Sequence, residues 1–244
     1  LGLWNMLDLT VDVFKEKRKD IFIRRATVPT QGGFINTPFA NFGKMENKGI
    51  EIALNLNKQI TPDFFMNWRA NFTYVQNKVT ERDEPALVKE LYPYKSSTGI
   101  QNNTLWGQTA LGLYTTADFD PVTGLLNADL PKSELGGVVR PGDIKYLDKN
   151  ADGVINALDE GFIGGTRDPQ IIYGFGSTSK YKQFDLSFFW QGTAKTYEII
   201  GQGGEDSARF IPGSGTGTLG NIYTNYNDRW TEENQSQDVF WPRL

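Results

Sequence analysis

The chain has 244 residues, a net charge of −4, no cysteine and no histidine. Disulfides, thiolate metal sites, histidine-ligated zinc and histidine-dependent catalytic triads are therefore excluded within it. The mild acidity gives no footing for nucleic acid, and no run approaches the ~18 apolar residues of a membrane helix, although membrane strands escape such a test because their alternation averages away.

Leu7, Leu9, Val11 and Val13 alternate with Asp8, Thr10 and Asp12, which is the period of a strand with one apolar face. The charged run from Lys15 to Asp20 leaves that pattern. From Ile21 to Asn47 the chain reads as loop, punctuated by Pro29, Gly32-Gly33 and Pro38. Ile50, Ile52, Leu54 and Leu56 then alternate with Glu51, Ala53, Asn55 and Asn57. After a turn at Thr61-Pro62-Asp63, Phe64, Met66, Trp68, Ala70, Phe72 and Tyr74 share a face opposite Phe65, Asn67, Arg69, Asn71 and Thr73. These two strands form a hairpin, each near the roughly 9–11 residues with which a tilted strand crosses a bilayer. Glu51 and Arg69 on the polar face suit a wet lumen better than an apolar core.

After Gln76 comes a long insert in which Trp106-Gly107 and Leu111 to Tyr114 suggest short strands. Alternation returns from Ile172 to Lys180, thinned by Gly174 and Gly176. A turn at Tyr181-Lys182-Gln183 leads to Phe184, Leu186, Phe188 and Trp190 against Asp185, Ser187 and Gln191, with Phe189 breaking the polar face. Short turns fall on one side and long loops on the other, the asymmetry of a membrane barrel. On that reading Leu9, Val11, Ile52, Leu54, Trp68 and Phe188 face lipid, and Asp12, Glu51, Arg69 and Asp185 face the lumen. Phe14, Phe64, Tyr74, Tyr181 and Trp190 lie near strand ends, where they fit an interfacial girdle or core packing. A soluble β-sandwich also gives each strand one apolar and one polar face, and pattern alone leaves it open.

Near the end of the insert lies Asp148-Lys149-Asn150-Ala151-Asp152-Gly153-Val154-Ile155-Asn156, closed by Asp159. Counted from Asp148, side-chain oxygens fall at positions 1, 3, 5, 9 and 12, glycine at 6 and the Val154 carbonyl at 7. That is the spacing with which an EF-hand-type loop encircles calcium. The candidate ligands are Asp148, Asn150, Asp152, Val154, Asn156 and Asp159, and Ile155 points away to anchor the loop. Asp159 stands where glutamate is usual, so magnesium or an empty loop stays open, as does an Asx-rich turn whose carboxylates bind backbone amides. The flanking breakers Gly136-Gly137, Pro141-Gly142, Gly164-Gly165 and Asp168-Pro169 leave no room for EF-hand helices.

Other candidates are weaker. Gly213 to Thr218 lacks the lysine of a phosphate loop. Asp83-Glu84 and Glu232-Glu233 would need to meet to act as a glycosidase pair. Trp106, Tyr114, Trp230 and Trp241 offer faces for sugar stacking or anchor loops instead.

The run GDIKYLDKNADGVINALDEGFIG (142–164), followed by Pro169 to Gly176, resembles the SusC/RagA family of TonB-dependent outer-membrane transporters. Gly43 to Glu51 (GKMENKGIE) and Asn227 to Thr231 (NDRWT), leading to Trp241-Pro242-Arg243-Leu244, agree in the family's order. The resemblance implies an all-β chain, part of a transmembrane antiparallel barrel of about 22 strands around a plug, from which this chain is an internal piece towards the C-terminal end. It further implies import of an oligosaccharide or peptide, no enzyme activity, a SusD-type lipoprotein lid, and TonB contacted through parts that lie outside this chain. Loops 77–168 and 193–244 are then extracellular. The alternative is a secreted, calcium-stabilised β-module that binds carbohydrate.

Overall fold

A computed structural model describes residues 2–3, 6–28, 33, 36–199 and 224–243. They fall into two compact units, Leu1–Leu105 with Gly164–Tyr197, and Trp106–Ile163 with Glu198–Leu244. The first unit begins with strands β1 (Gly2–Leu3), β2 (Leu7–Arg24), β3 (Phe39–Thr61) and β4 (Phe64–Glu81), then a short helix α1 (Ala86–Leu91). The insert contributes β5 (Thr104–Gly107), β6 (Ala110–Leu113), β7 (Lys132–Ser133), β8 (Ile144–Tyr146), β9 (Val154–Ile155) and β10 (Gly161–Thr166). The hairpin β11 (Ile171–Tyr181) and β12 (Phe184–Ala194) completes the first unit.

Its six strands form one antiparallel sheet in the order β1-β2-β3-β4-β11-β12. Directly paired residues share a face, so the register decides which side chains lie together. Leu9, Leu54, Ala70, Phe175 and Trp190 form one row, and Val11, Ile52, Phe72 and Tyr173 form another. Leu56, Trp68, Ser177 and Phe188 continue the same face. The opposite face carries Asp12 beside Glu51 and Thr73, and Asn55 beside Arg69. There Asn67 donates to Asn55 and Asn57 at 2.7 and 2.8 Å, and Thr178 bonds Ser187. The two sets expected from periodicity are therefore segregated across the sheet. Val11, Trp68, Phe72, Phe175, Leu186 and Trp190 are all exposed on the apolar side, and a contiguous face of that size marks a surface meant for lipid or another apolar partner.

The turns Thr61–Phe64 and Tyr181–Phe184 sit side by side at one end, joined by Lys182 N–H donating to Asp63 C=O at 3.0 Å. At that end Phe64 and Tyr181 meet edge to face at 6.2 Å on the apolar side, as a girdle requires. Phe14 is different. It lies on the polar face over Gly49, where an added Cβ would come within 2.6 Å of its ring. Phe189, the apparent break in the polar face, covers Gly174 and Gly176, and the Arg69 guanidinium stacks on its ring at 5.5 Å. The two glycines are thus the floor of an aromatic seat.

Strand boundaries differ from the sequence reading, since β4 also runs past Gln76 to Glu81. The stretch 21–47 is not loop throughout, because β2 runs to Arg24 and β3 starts at Phe39, with an irregularity near Asp20 (φ 55°). Backbone pairing needs no apolar face, so the ladder continues where both faces meet water.

In the second unit β6 pairs antiparallel with β8, and β7 parallel with β9. Its core is Tyr114, Phe119, Ile155, Trp230 and Trp241. Tyr114 meets Phe119 edge to face at 5.9 Å, and Arg229 bridges Trp241 along the backbone. Residues 213–218 lie outside the described residues.

Candidate functional site

The acidic loop hangs between β8 and β10 and carries β9 within it. Ile155 is 1% exposed and pins it to the core, as its position eight led one to expect. Gly153 adopts φ +83°, the left-handed turn that position six requires. Asp148 Oδ2 accepts from Gly153 N–H at 2.8 Å, while Asp148 Oδ1 is buried with no hydrogen-bond partner. Asp159, fully buried, accepts from Lys149 N–H at 2.9 Å and Asn156 N–H at 2.8 Å. Asp152 accepts from Val154 N–H, Asn150 from Asp152 N–H, and Asn156 from Leu158 N–H. Lys132 and Glu134 N–H donate to the carbonyls of Gly153 and Ile155, on either side of Val154. All six expected ligands thus belong to one closed turn, in which the side chains of Asp148, Asn150, Asp152, Asn156 and Asp159 cap its own amides. Among the described residues no group of three or more Asp, Glu, His or Cys side chains is placed to hold an ion by itself, so a cation in this loop would also need Asn150, Asn156 and the Val154 carbonyl.

In the same unit a cleft of about 660 Å³ opens beside the buried Trp230. Arg140, Arg229 and Arg243 line it with Glu232, Gln235 and Thr116. Arg243 Nε lies 3.3 Å from Asp143, and Lys145 lies 3.2 Å from Asp118. Burial pushes the Asp118 carboxyl up, but bonds from Thr115 and the Lys145 ammonium outweigh it and hold it below the ordinary range. Burial, reinforced by Asp118 and Asp143, raises the Tyr114 hydroxyl. Three arginines around one cleft favour planar anions or dense hydroxyls. Sequence reasoning missed this cleft because its arginines come from positions 140, 229 and 243, with no local pattern to connect them.

The remaining candidates resolve into structure. Tyr114, Trp230 and Trp241 are core residues and offer no face to a sugar. Trp106 alone of the four is exposed, donating to Glu160 at 3.1 Å and meeting Phe162 edge on. Asp83 is buried and accepts from the Arg25 guanidinium at 2.7 Å, from Ala26 and Thr27 N–H, and from the Thr27 hydroxyl. The Arg25 bond leads in holding its carboxyl far below the usual range, against burial. Glu84 is likewise committed to Ser96, Ser97 and Thr98. Burial pushes its carboxyl up, but bonds from Ser97 and Ser96 win and lower it. Both carboxylates therefore clamp loops at the end of β4 and are not available as a glycosidase acid and base.

The sequence matches the family described as TonB dependent receptor-like, beta-barrel, over residues 2–231. It is 29% identical over 231 residues to TonB-dependent receptor P26 of Formosa agariphila, an alignment covering 94% of this chain and 22% of that protein. To TonB-dependent receptor SusC of Bacteroides thetaiotaomicron it is 21% identical over 187 residues, covering 74% of this chain and 17% of that one. Among solved structures, the RagAB peptide transporter superposes with a TM-score of 0.62 at 21% identity, covering 98% of this chain and 24% of its counterpart. The chain spans about a fifth of the length of the curated relatives it matches. Together with the segregated faces of the sheet, these likenesses displace the soluble sandwich and the secreted module. The chain belongs to the TonB-dependent receptor-like β-barrel family, and its six-stranded sheet is part of an outer-membrane barrel wall.

Proposed function

We propose that the protein containing this chain imports a nutrient, an oligosaccharide or a peptide, across the outer membrane in a TonB-dependent manner, with a SusD-type lipoprotein as its lid. The family match over residues 2–231 carries the reading. Long connections leave one end of the sheet and tight turns the other, which supports an extracellular insert. On the insert Val122 is 91% exposed and Leu125 64%, an apolar edge that suits docking of a lid. The arginine-lined cleft is where an anionic or hydroxyl-rich part of the substrate would be held. In the full-length transporter, deletion of residues 118–135 is expected to reduce capture of the lipoprotein in a pull-down. Deletion of 204–220, outside the described residues, is expected to do the same. Unchanged capture in both would remove these loops from the lid contact.

We also propose that the 148–159 loop holds calcium as a structural ion. Three Asp and two Asn suit a hard cation, the orphaned Asp148 Oδ1 lacks any other partner, and the remaining capped oxygens each keep a spare lone pair. Extracellular sites of this kind bind at about 10⁻⁴–10⁻³ M. With the carboxylates already committed to the loop, the site offers no nucleophile. Chelation should speed proteolysis of the full-length protein between Lys145 and Arg167 while leaving the barrel intact. Equal cleavage with and without chelator would remove the ion from the account.

A further inference from the structure

The outward face of β2, β3 and β4 changes character abruptly above its apolar band. Val13, Ile50 and Tyr74 form the last apolar row. Two residues on, Lys15 lies directly opposite Lys48, which lies opposite Gln76. Two further, Lys17 lies opposite Glu46, and Glu46 opposite Lys78. The register has no irregularity between these rows and the band below, so the side chains project on the same side as Val11 and Ile52. Lys15, Lys17, Lys48 and Lys78 are all exposed. One carboxylate, Glu46, stands among them and bonds Lys15 at 3.1 Å. Lys17, Lys19, Lys44 and Glu46 further line a shallow hollow of about 180 Å³.

We propose that this patch binds the phosphates of the outer leaflet's glycolipid. From Phe64 to Tyr74, β4 already spans the roughly 9–11 residues that a tilted strand uses to cross the hydrocarbon. Gln76 and Lys78 are therefore the first outward positions at headgroup height, on the long-loop side that faces the medium. Like charges placed directly opposite on a sheet repel. The Lys15–Lys48 pair therefore gains from an anion, and Glu46 balances only one of four ammonium groups. A headgroup phosphate arrives from the side these lysines face, with its acyl chains against Val13 and Ile50. A soluble ligand entering the lumen would meet the other face. The inference rests on membership in the outer-membrane family and is independent of which nutrient is imported.

The test uses the full-length protein in mild detergent. It is titrated with bis-phosphorylated lipid A, with the same lipid stripped of its phosphates, and with inorganic phosphate, while thermal unfolding is followed. The phosphorylated lipid should raise Tm by several degrees, the stripped lipid much less, and inorganic phosphate not at all. High salt should shrink the first response, because the contact is electrostatic. K17Q/K48Q/K78Q should weaken the phosphorylated lipid by about a hundredfold at low salt, roughly fivefold for each lysine. Equal responses of the wild type to the two lipids overturn the proposal, and so does an equal response to inorganic phosphate. A folded triple variant as tight as wild type does the same. If the triple variant does not fold, the wild-type comparison of the two lipids at low and high salt decides alone.

Discussion

Replacing Gly142 with alanine is expected to loosen the whole second unit, at a cost of about 2–5 kcal/mol. Gly142 has φ +87°, and an added Cβ would run into the Trp230 ring and approach Arg243 Cβ at 2.9 Å. Two penalties combine, left-handed backbone strain of roughly 1–2 kcal/mol and overpacking of about 1–3 kcal/mol. Both neighbours are tied to the same backbone, so moving either one disturbs its partners. Trp230 is 2% exposed and its backbone N–H donates to Trp241 C=O at 3.0 Å, while the Arg243 backbone N–H donates to Gly142 C=O at 2.8 Å. Gly142 N–H in turn donates to Tyr114 C=O at 2.7 Å, so the displacement reaches β6. Gly136→Ala and Gly137→Ala are the controls. Both glycines have positive φ, but nothing lies within 4 Å of an added Cβ, so only the strain should appear. Hydrogen exchange at the amides of Tyr114, Trp230 and Arg243 in the full-length protein reads the difference. Exchange in Gly142→Ala no faster than in Gly136→Ala would remove Trp230 as the clamp of this unit.

What the sequence made legible is what local periodicity encodes. Leu9, Leu54 and Trp68 sort onto one face because a strand places alternate residues on opposite sides, and the turns at Pro62 and Lys182 are short enough to fix the register of their hairpins. Periodicity failed for Lys15 to Arg24, since above the membrane both faces are wet and the pattern that marks a strand disappears although its ladder persists. It failed again at Phe189, whose place on the polar face depends on Gly174 and Gly176 of the neighbouring strand. The cost of a misplaced ring is set by what lies across the pair, which no single strand records. The acidic loop was legible as a closed turn anchored by Ile155, because its spacing is local. The roles of Asp83, Glu84, Trp230 and the three arginines were not, because each is set by residues far away in the chain. For Asp83 and Glu84 the sequence had only adjacency to offer. Their partners at Arg25 and Ser97 turn these two candidate carboxylates into loop clamps.

Leu54→Lys tests the orientation of the wall itself. Leu54 lies in the row with Leu9, Ala70, Phe175 and Trp190, six residues up β4 from the turn at Phe64 and four below Tyr74, and so close to the middle of the apolar band. A lysine on the lipid face near the midplane costs about 2–4 kcal/mol, because its ammonium leaves water with no partner within reach. Ala53→Lys is the matched control, one residue away on the face shared by Thr10, Asn71 and Gln191. There a charge finds Asn71 and a wet lumen, and the expected change is within about 0.5 kcal/mol, as for an ordinary surface position. Urea-dependent folding of the full-length protein into lipid vesicles measures both. Cysteines at the same positions give an independent reading with a membrane-impermeant maleimide. Leu54→Cys should stay unlabelled in intact membranes, while Ala53→Cys and Glu51→Cys react in protein extracted and opened by detergent. Labelling of Leu54→Cys in intact membranes, together with a penalty for Ala53→Lys as large as for Leu54→Lys, would mean that the sheet is inside out.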